Sequence, residues 1–371
     1  MLESVLGVRL MLWAGATIPT PRPELMAAIR SVTVTNDADS ADGFQIRLAV
    51  DKTEIGEFDL VESGALDVLN RVWIAAALGV VPEVLIDGII TRHDLQPSDM
   101  PGQSVLTVTG TDVTIMMDLE EKNDLHSNQP DSVIVMKLLA RYARYGIVPN
   151  VTPTTDVPVE VQRIPRQHET DLEFIRRAAQ RNGFVFYVEP VTVGVNRAYW
   201  GPVVRTGVPQ SALTLGLGPA ANLESLSFNN DGLAPVGAKA TFVEPITKTA
   251  IPLPPLPALR LPPLAASATP TNRTIVLRDT GNAGPIETAL ASVAAATAAP
   301  EPIGANGVVD GARYGSVLRA RQLVGVRGAG RSYDGFYYVR GVTHTMQPGS
   351  YTQSFRLSRE GTGAVLPVVV P

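Results

Sequence analysis

Four histidines and no cysteine bound the chemistry open to this chain of 371 residues. Without a thiol there is no disulfide, no thiolate metal site and no cysteine nucleophile. His93-Asp94 and His168-Glu169 set an imidazole beside a carboxylate, the pairing a general base or a metal centre would use. Neither has a second histidine at a spacing that shares a helix face, as a zinc site usually requires. Gly325-Val-Arg-Gly-Ala-Gly330-Arg331-Ser332 imitates the phosphate loop G-x-x-x-x-G-K-[ST], with Arg331 in the place of the lysine. A strand is predicted after it, where a phosphate site needs a helix whose amides point at the ligand. There is no G-x-S-x-G elbow, and nothing selects two carboxylates to flank a sugar. His344 reads as a hydrogen-bonded strand residue. Arg176, Arg177 and Arg181 read as a helix face turned to water or to another subunit rather than to nucleic acid. The expectation is therefore no catalytic residue, no cofactor-binding residue and no metal ligand set: a protein that is not an enzyme and needs no cofactor.

The elements that would hold these residues are mostly strands. Ile29–Thr35, Phe44–Val50, Arg71–Ala77, Glu83–Thr91 and Ser104–Thr111 read as strands, several of them alternating apolar and polar residues, with turn residues between them. Short strands at this spacing predict a small antiparallel barrel or sandwich. A helix is predicted after Gln129-Pro130, capped by Asp131 or Ser132, carrying Val135, Leu138, Leu139 and Tyr142 on one side and stopping at Gly146. A Thr- and Pro-rich link, 149–165, leads to His168-Glu-Thr-Asp-Leu-Glu-Phe-Ile-Arg-Arg. There Thr170 and Glu173 form a capping box, Leu172, Ile175, Ala178 and Ala179 make an apolar stripe, and Asn182-Gly183 stops the helix. Phe184–Glu189 reads as an immediate buried strand ended by Pro190. A strand or two is predicted in 200–217, and Leu223–Phe228 and Val236–Val243 open a second β segment. Ile251–Pro270 holds seven prolines and reads as a stiff polyproline surface connection. Ile286–Ala299 is a helix with a small-residue face. Ser316–Ala320, Gln322–Arg327, Gly335–His344 and Tyr351–Ser358 are the closing strands.

Bulk properties narrow the class. Charged residues are 18% of the chain and the net charge is −5, so overall charge points to neither nucleic acid nor an anionic membrane. No apolar run reaches the roughly 18 residues of a membrane span. Arg9 and Glu3 interrupt the apolar N-terminus, which reads as an ordered arm or strand rather than a targeting segment.

Two stretches carry a resemblance. Thr170-Asp-Leu-Glu-Phe-Ile-Arg-Arg with Gly183-Phe-Val-Phe-Tyr-Val-Glu resembles the late-control D family of baseplate hub proteins, found at the centre of contractile phage tails and related injection machines. The hub half of type VI secretion spike proteins (VgrG) is similar. Gly335-Phe-Tyr-Tyr-Val-Arg-Gly-Val-Thr-His344 followed by Tyr351-Thr-Gln-Ser-Phe-Arg-Leu-Ser-Arg359 resembles the family's closing signature, a G-x-Y-x-V-x-x-V-x-H strand before a Y-x-x-x-F-x-L-x-R strand. The end of Ser104–Asp112, Val-Leu-Thr-Val-Thr-Gly-Thr-Asp, is similar to the end of the family's first tube-forming barrel. The likeness spans most of 25–361, apart from the proline-rich insert.

The resemblance implies a β-rich α+β fold with two small antiparallel β-barrels of the tube type and a helical lobe between them. The implied layout is an N-terminal arm at 1–26, a first barrel at 27–117, a helix–strand lobe at 118–220, and a second barrel from 221–248 and 301–362. The proline-rich connection and Ala-rich helix occupy 249–300 and a tail 363–371. The implied role is a structural baseplate hub: a homotrimer whose six barrels meet the six-fold inner tube while its three-fold symmetry meets the spike, around a lumen. Implied partners are the inner tube or tube-initiator protein, a separate spike protein (the chain stops at Val368-Val-Val-Pro371), baseplate wedge or adaptor proteins, and a tape-measure protein or cargo in the lumen. Implied too are assembly in the bacterial cytoplasm, incorporation into a virion tail or injection particle, and neither nucleic-acid recognition nor a membrane span. Two other readings stay open, a cell-wall-cleaving baseplate enzyme and a stand-alone β-rich adhesin.

Overall fold

A computed structural model describes residues 7–16, 18–51, 58–79, 81–100, 102–154, 165–216, 218–244, 247–256, 258, 260–278 and 285–365. Most of the expected 149–165 link, the first six residues and the end of the tail lie outside them. The fold is β-rich α+β, dominated by one large sheet of 13 strands, with six α-helices among the described residues.

Ten strands of this sheet fall into two sets of five. They are β1 (Ile29–Asp37), β2 (Gly43–Ala49), β3 (Arg71–Ala77), β4 (Pro82–Gln96) and β5 (Val105–Asp112), then β6 (Leu223–Asn230), β7 (Ile303–Asp310), β8 (Leu323–Arg327), β9 (Gly335–Gln347) and β10 (Ser350–Arg359). Their order is β6-β7-β10-β9-β1-β2-β5-β4-β3, after which the N-terminal strand Arg9–Gly15 pairs with β3; β8 branches off β9 and pairs with Gln210–Thr214. The two β segments are thus joined in one sheet through β9 and β1. Among the described residues no ladder closes either into a barrel. The gap in the second is narrowed by Asn222, which donates from Nδ2 to the Ala212 carbonyl at 2.9 Å and accepts the Thr214 amide at 2.8 Å.

The second five strands repeat the first. In each set the first strand pairs with the second, the second with the fifth, the fifth with the fourth and the fourth with the third. Two of the irregularities coincide as well, while the shift between Ile74 and Ala75 in the β3–β4 pair has no counterpart in β8–β9. The first pair shifts register between Ile29 and Ser31 in one set and between Leu223 and Ser225 in the other; the fourth–fifth pair shifts between Ile90 and Arg92 and between Val339 and Gly341. A bulge marks a fixed position in a strand pair, so the two sets can be numbered against each other. The core row Val32–Ile46–Val108–His93 then corresponds to Leu226–Gly307–Phe355–Val342. Volume has moved from one strand to its neighbour: a Cβ on Gly307 would meet the Phe355 ring at 2.5 Å. Each set has its own buried core, Val32, Ile46, Leu48 and Val108 in one and Ile303, Val309, Val339 and Leu357 in the other.

A third core belongs to the lobe. The helix Asp171–Arg181 buries Leu172, Phe174, Ile175, Ala178 and Ala179 against Ile134, Val135, Leu138 and Leu139 of the helix Asp131–Ala140. The capping box is present, Thr170 Oγ1 accepting from the Glu173 amide at 3.2 Å and a Glu173 oxygen from the Thr170 amide at 3.3 Å, and Gly183 takes a φ of +67° beyond the helix end. The first lobe helix is capped differently from expectation. Its N-cap is Pro130, and Asp131 instead binds Arg181 at 2.5 Å. The strand after Gly183 runs Val185–Thr192, through Pro190, and is only half buried. Its partner Val195–Gly201 covers one side alone, so the prolyl nitrogen needs no ladder bond.

Three further expectations give way. Val236–Val243 leaves the main sheet and forms a separate one with Ala250–Leu256 and Arg273–Val276. The proline-rich stretch is not a free polyproline segment there. Ala250–Leu256 is an edge strand, where proline costs no interior hydrogen bond, and Ala265–Ala268 pairs with Gly361–Ala364. Ser316–Ala320 is irregular rather than a strand. Its buried backbone is satisfied by side-chain amides instead, with Gln353 accepting the Leu318 amide and Gln210 accepting the Arg319 amide, each at 2.7 Å. The strand Ile303–Asp310, unmarked in sequence, is β7. β6 and β7 are joined through residues 231–302 where β1 and β2 are joined by a short turn, and the Asp231 amide donates to the Pro302 carbonyl at 2.8 Å.

Candidate assembly surface

The residues singled out for chemistry are scattered. His93 and Asp94 are neighbours in β4, so they point to opposite faces. Asp94 accepts from Arg92 at 2.6 Å and His93 bonds the Leu66 carbonyl. His168 and Glu169 are likewise neighbours in the strand Arg166–Thr170, and Glu169 pairs with Arg177 at 2.5 Å. Arg181 is taken by Asp131 and Arg176 is exposed, so the three arginines do not act as one patch. The phosphate-loop imitation is the turn between two strands, β8 and β9, with no helix after it. Among the described residues no three His, Asp or Glu side chains cluster as metal ligands.

One side of the sheet has a consistent chemistry. Strand alternation puts Ser225, Val308, Ser354, Thr343, Thr35, Gly43 and Thr111 in a single cross-strand row over seven strands, β6 to β5. The next row is Thr352, Thr345, Thr33, Gln45, Thr109 and Arg92. None of these residues is buried, and most are small hydroxyls. At the joint of the two sets the Thr35 and Thr343 hydroxyls lie 3.3 Å apart. Gly341 has no side chain there, which lets Arg356 cross β9 to the Asp37 carboxylate. A shallow groove of about 440 Å³ lies over this joint, lined by Thr35, Asp37, Ser227, Asn306, Gly341 and Arg356 among others.

Behind the face the joint is locked by residues that sequence reading passed over. Arg321, at a φ of +65°, donates to both oxygens of Asp42 at 3.1 and 2.7 Å and to the Asp37 carbonyl at 2.5 Å, and lies 4.6 Å over the Tyr187 ring of the lobe. Burial works against the charge, but Asp42 more than offsets it and the guanidinium is held above its ordinary pKa. Asp42 also accepts the Asp37 amide at 2.8 Å and Asn36 Nδ2 at 3.0 Å. Arg319 bonds the Val84 carbonyl and Glu83 across the same boundary. In the lobe Asp171, fully buried at the helix start, accepts from Lys122 at 2.5 Å, Tyr142 at 2.7 Å and Gln167 at 2.8 Å. Burial pushes its carboxyl up, and these donors bring it below the usual carboxylate range. Isolated charged letters in a sequence do not announce such partners; only the Asp171 position, inside the Thr170-Asp-Leu-Glu motif, carried a signal.

The same fold occurs in tail proteins. A tail protein of Neisseria meningitidis MC58 is 15% identical, with a TM-score of 0.61 over 96% of this chain and 98% of that one. The 43 kDa tail protein of prophage MuSo2 from Shewanella oneidensis is 14% identical, with a TM-score of 0.63 over 95% and 98%. An Escherichia coli component of the type VI secretion system, described as structurally similar to the T4 bacteriophage tail proteins gp27 and gp5, is 13% identical, with a TM-score of 0.57 over 93% of this chain and 77% of that one. No curated protein matches the chain in sequence. Residues 14–204, just over half of the chain, match the family model of the Alg8 N-terminal domain, and the chain belongs to that family.

Proposed function

We propose that the chain is a structural component of a contractile tail or injection particle, and that it works as a trimeric baseplate hub of the late-control D type. Its ring joins the hexameric inner tube to the trimeric spike and encloses the lumen. The two tube-type units are the β1–β5 and β6–β10 sets, each completed into a barrel by the assembled ring, with the helix–strand lobe outside. The observation that carries this reading is the repeat itself. Two sets of strands of equal topology stand side by side, head to tail, in one sheet, so each chain offers two near-equivalent positions. Three copies then offer six, which suits a six-fold tube, while the true symmetry stays three-fold for the spike. Three copies bring about 24 strands, and at ~4.8 Å per strand the wall is about 37 Å across before tilt. The hydroxyl-rich side is the lumen wall. It is wettable, and charges on it are paired as Arg356 with Asp37 and Arg92 with Asp94, which softens the field a sliding cargo meets.

Light scattering on the purified chain, together with an assay on cell-wall substrate, tests the reading. The hub gives three times the 39.5 kDa chain mass and no hydrolysis. Cleavage of the substrate would instead favour the cell-wall enzyme, and a monomer at every concentration the adhesin.

A further inference from the structure

We infer that the outer side of the two lobe helices is a docking surface for an acidic amphipathic helix of another protein. The inference concerns the lobe alone and does not rest on the ring reading. Charge at both ends fixes the two helices antiparallel. Asp131, at the start of Asp131–Ala140, accepts from Arg181 at 2.5 Å and from Asn182 at 2.7 Å, at the end of Asp171–Arg181. Asp171, at the start of the second helix, accepts from Tyr142 at 2.7 Å and from Arg141 at 3.3 Å, just past the end of the first. Residues 131–140 and 171–180 share one pattern of burial, position for position, and bury into the same core. Their exposed residues therefore share one outer side.

That side carries an apolar line with no cover. Val133 is 47% exposed and Met136 50%, and exposed Ala140 continues them at the i, i+3, i+7 spacing that keeps residues on one line of a helix. A methionine at the middle of such a line adapts its shape to what packs on it. An apolar line of this spacing is what an amphipathic helix lays its own apolar face against.

The surrounding charge selects the partner. Lys137 lies beside the line, Arg144 just beyond it, and Arg176 at the level of Met136 on the second helix, as the antiparallel pairing of 131 with 181 and 141 with 171 requires. All three are exposed, and none has an ion-pair partner among the described residues. The carboxylates of this region are already engaged: Glu169 pairs with Arg177 at 2.5 Å, Glu173 closes the capping box, and Asp124 and Asp171 hold Arg141. The unspent charge is positive, so a helix with Asp or Glu flanking its apolar face is complementary. A second copy of this side would bring like charges together. Among the described residues the other α-helices do not supply the occupant either: Pro285–Ala298 has one acidic residue, Glu287, and the rest are four residues long.

Fluorescence anisotropy with the full chain and three labelled synthetic peptides tests the inference. Each peptide has about 15 residues, the length at which an isolated helix begins to hold. The first carries leucine at i, i+3 and i+7 with flanking glutamates; the second has lysine for each glutamate; the third keeps the composition of the first with the leucines dispersed around the helix. The first should bind at least about tenfold tighter than the others, and more tightly at low salt. M136D should weaken it about tenfold or more, and K137E/R176E should turn the preference to the lysine peptide. These positions are exposed, so unchanged urea midpoints in both variants separate lost binding from lost fold. Equal binding of the three peptides, binding of none, or indifference to both variants overturns the inference. Self-association in light scattering that M136D abolishes would assign this side to a second copy, and overturns it as well.

Discussion

His344 lies fully buried in the first core, its Nδ1 2.9 Å from the Tyr351 hydroxyl and its Nε2 without a partner among the described residues. Burial, reinforced by Arg319, pushes its pKa down to about 3. The folded chain therefore holds the ring neutral where the unfolded chain would protonate it. The stability this contributes is present above pH 6.5 and lost as pH falls toward 3. Asp112 works in the opposite sense: burial first, then Asp42, raises it to about 6, so its contribution is present below pH 4 and lost as pH rises through 6. Comparing wild type with H344Q cancels the Asp112 effect. In urea titrations between pH 6 and 4 the wild type should lose up to ~1.4 kcal/mol per pH unit relative to the variant. Parallel curves would mean the ring is not buried neutral. Gly307 makes a second claim at this scale. With Phe355 at 2.5 Å from a built Cβ, and the Ser225 carbonyl equally close, G307A should cost ~1–3 kcal/mol, read from its urea midpoint.

Among the elements, the helix Asp171–Arg181 is the one most completely written in sequence. Cap, stripe and stop each follow from local rules, and T170A should lower stability by ~1 kcal/mol in the same titration, somewhat more if the Thr170 bond to Asp118 matters. The strand β1 was legible for a similar reason: one face is core and the other polar, so Ser31-Val-Thr-Val-Thr35 alternates, whereas Arg71–Ala77 is buried on both faces and shows no such alternation. What failed to show was structure held by distant partners. Ala250–Leu256 is a strand because an edge position tolerates its prolines, and nothing local says that an edge will be there. Ser316–Ala320 looks like a strand by composition, yet Gln353 and Gln210 from elsewhere satisfy its backbone. The β7 stretch, Ile-Gly-Ala-Asn-Gly-Val-Val-Asp, hides behind two glycines, one of which only makes room for Phe355. The candidate surface was the least legible of all. Its rows of hydroxyls draw on seven strands, and no single segment reveals that they share a face.

For the molecule as a whole the weight falls on the joint between the two sets. Arg321 reaches the β1–β2 turn from the second set and the Tyr187 ring of the lobe, so one buried guanidinium ties three parts of the chain together. R321M would leave Asp42 charged and unpaired in the interior, and should cost ~3–5 kcal/mol in a urea titration. Little change would mean the joint is held by the β9–β1 ladder alone. The internal joint matters beyond its own stability because the two sets of one chain must be quasi-equivalent for three chains to offer six positions. A cryo-electron-microscopy reconstruction of the purified assembly measures it directly, as the rotation that carries β1–β5 onto β6–β10 of the same chain. The account requires about sixty degrees around the ring axis, with three chains closing the circle. A rotation far from that value, or an axis that does not coincide with the ring's, would contradict it.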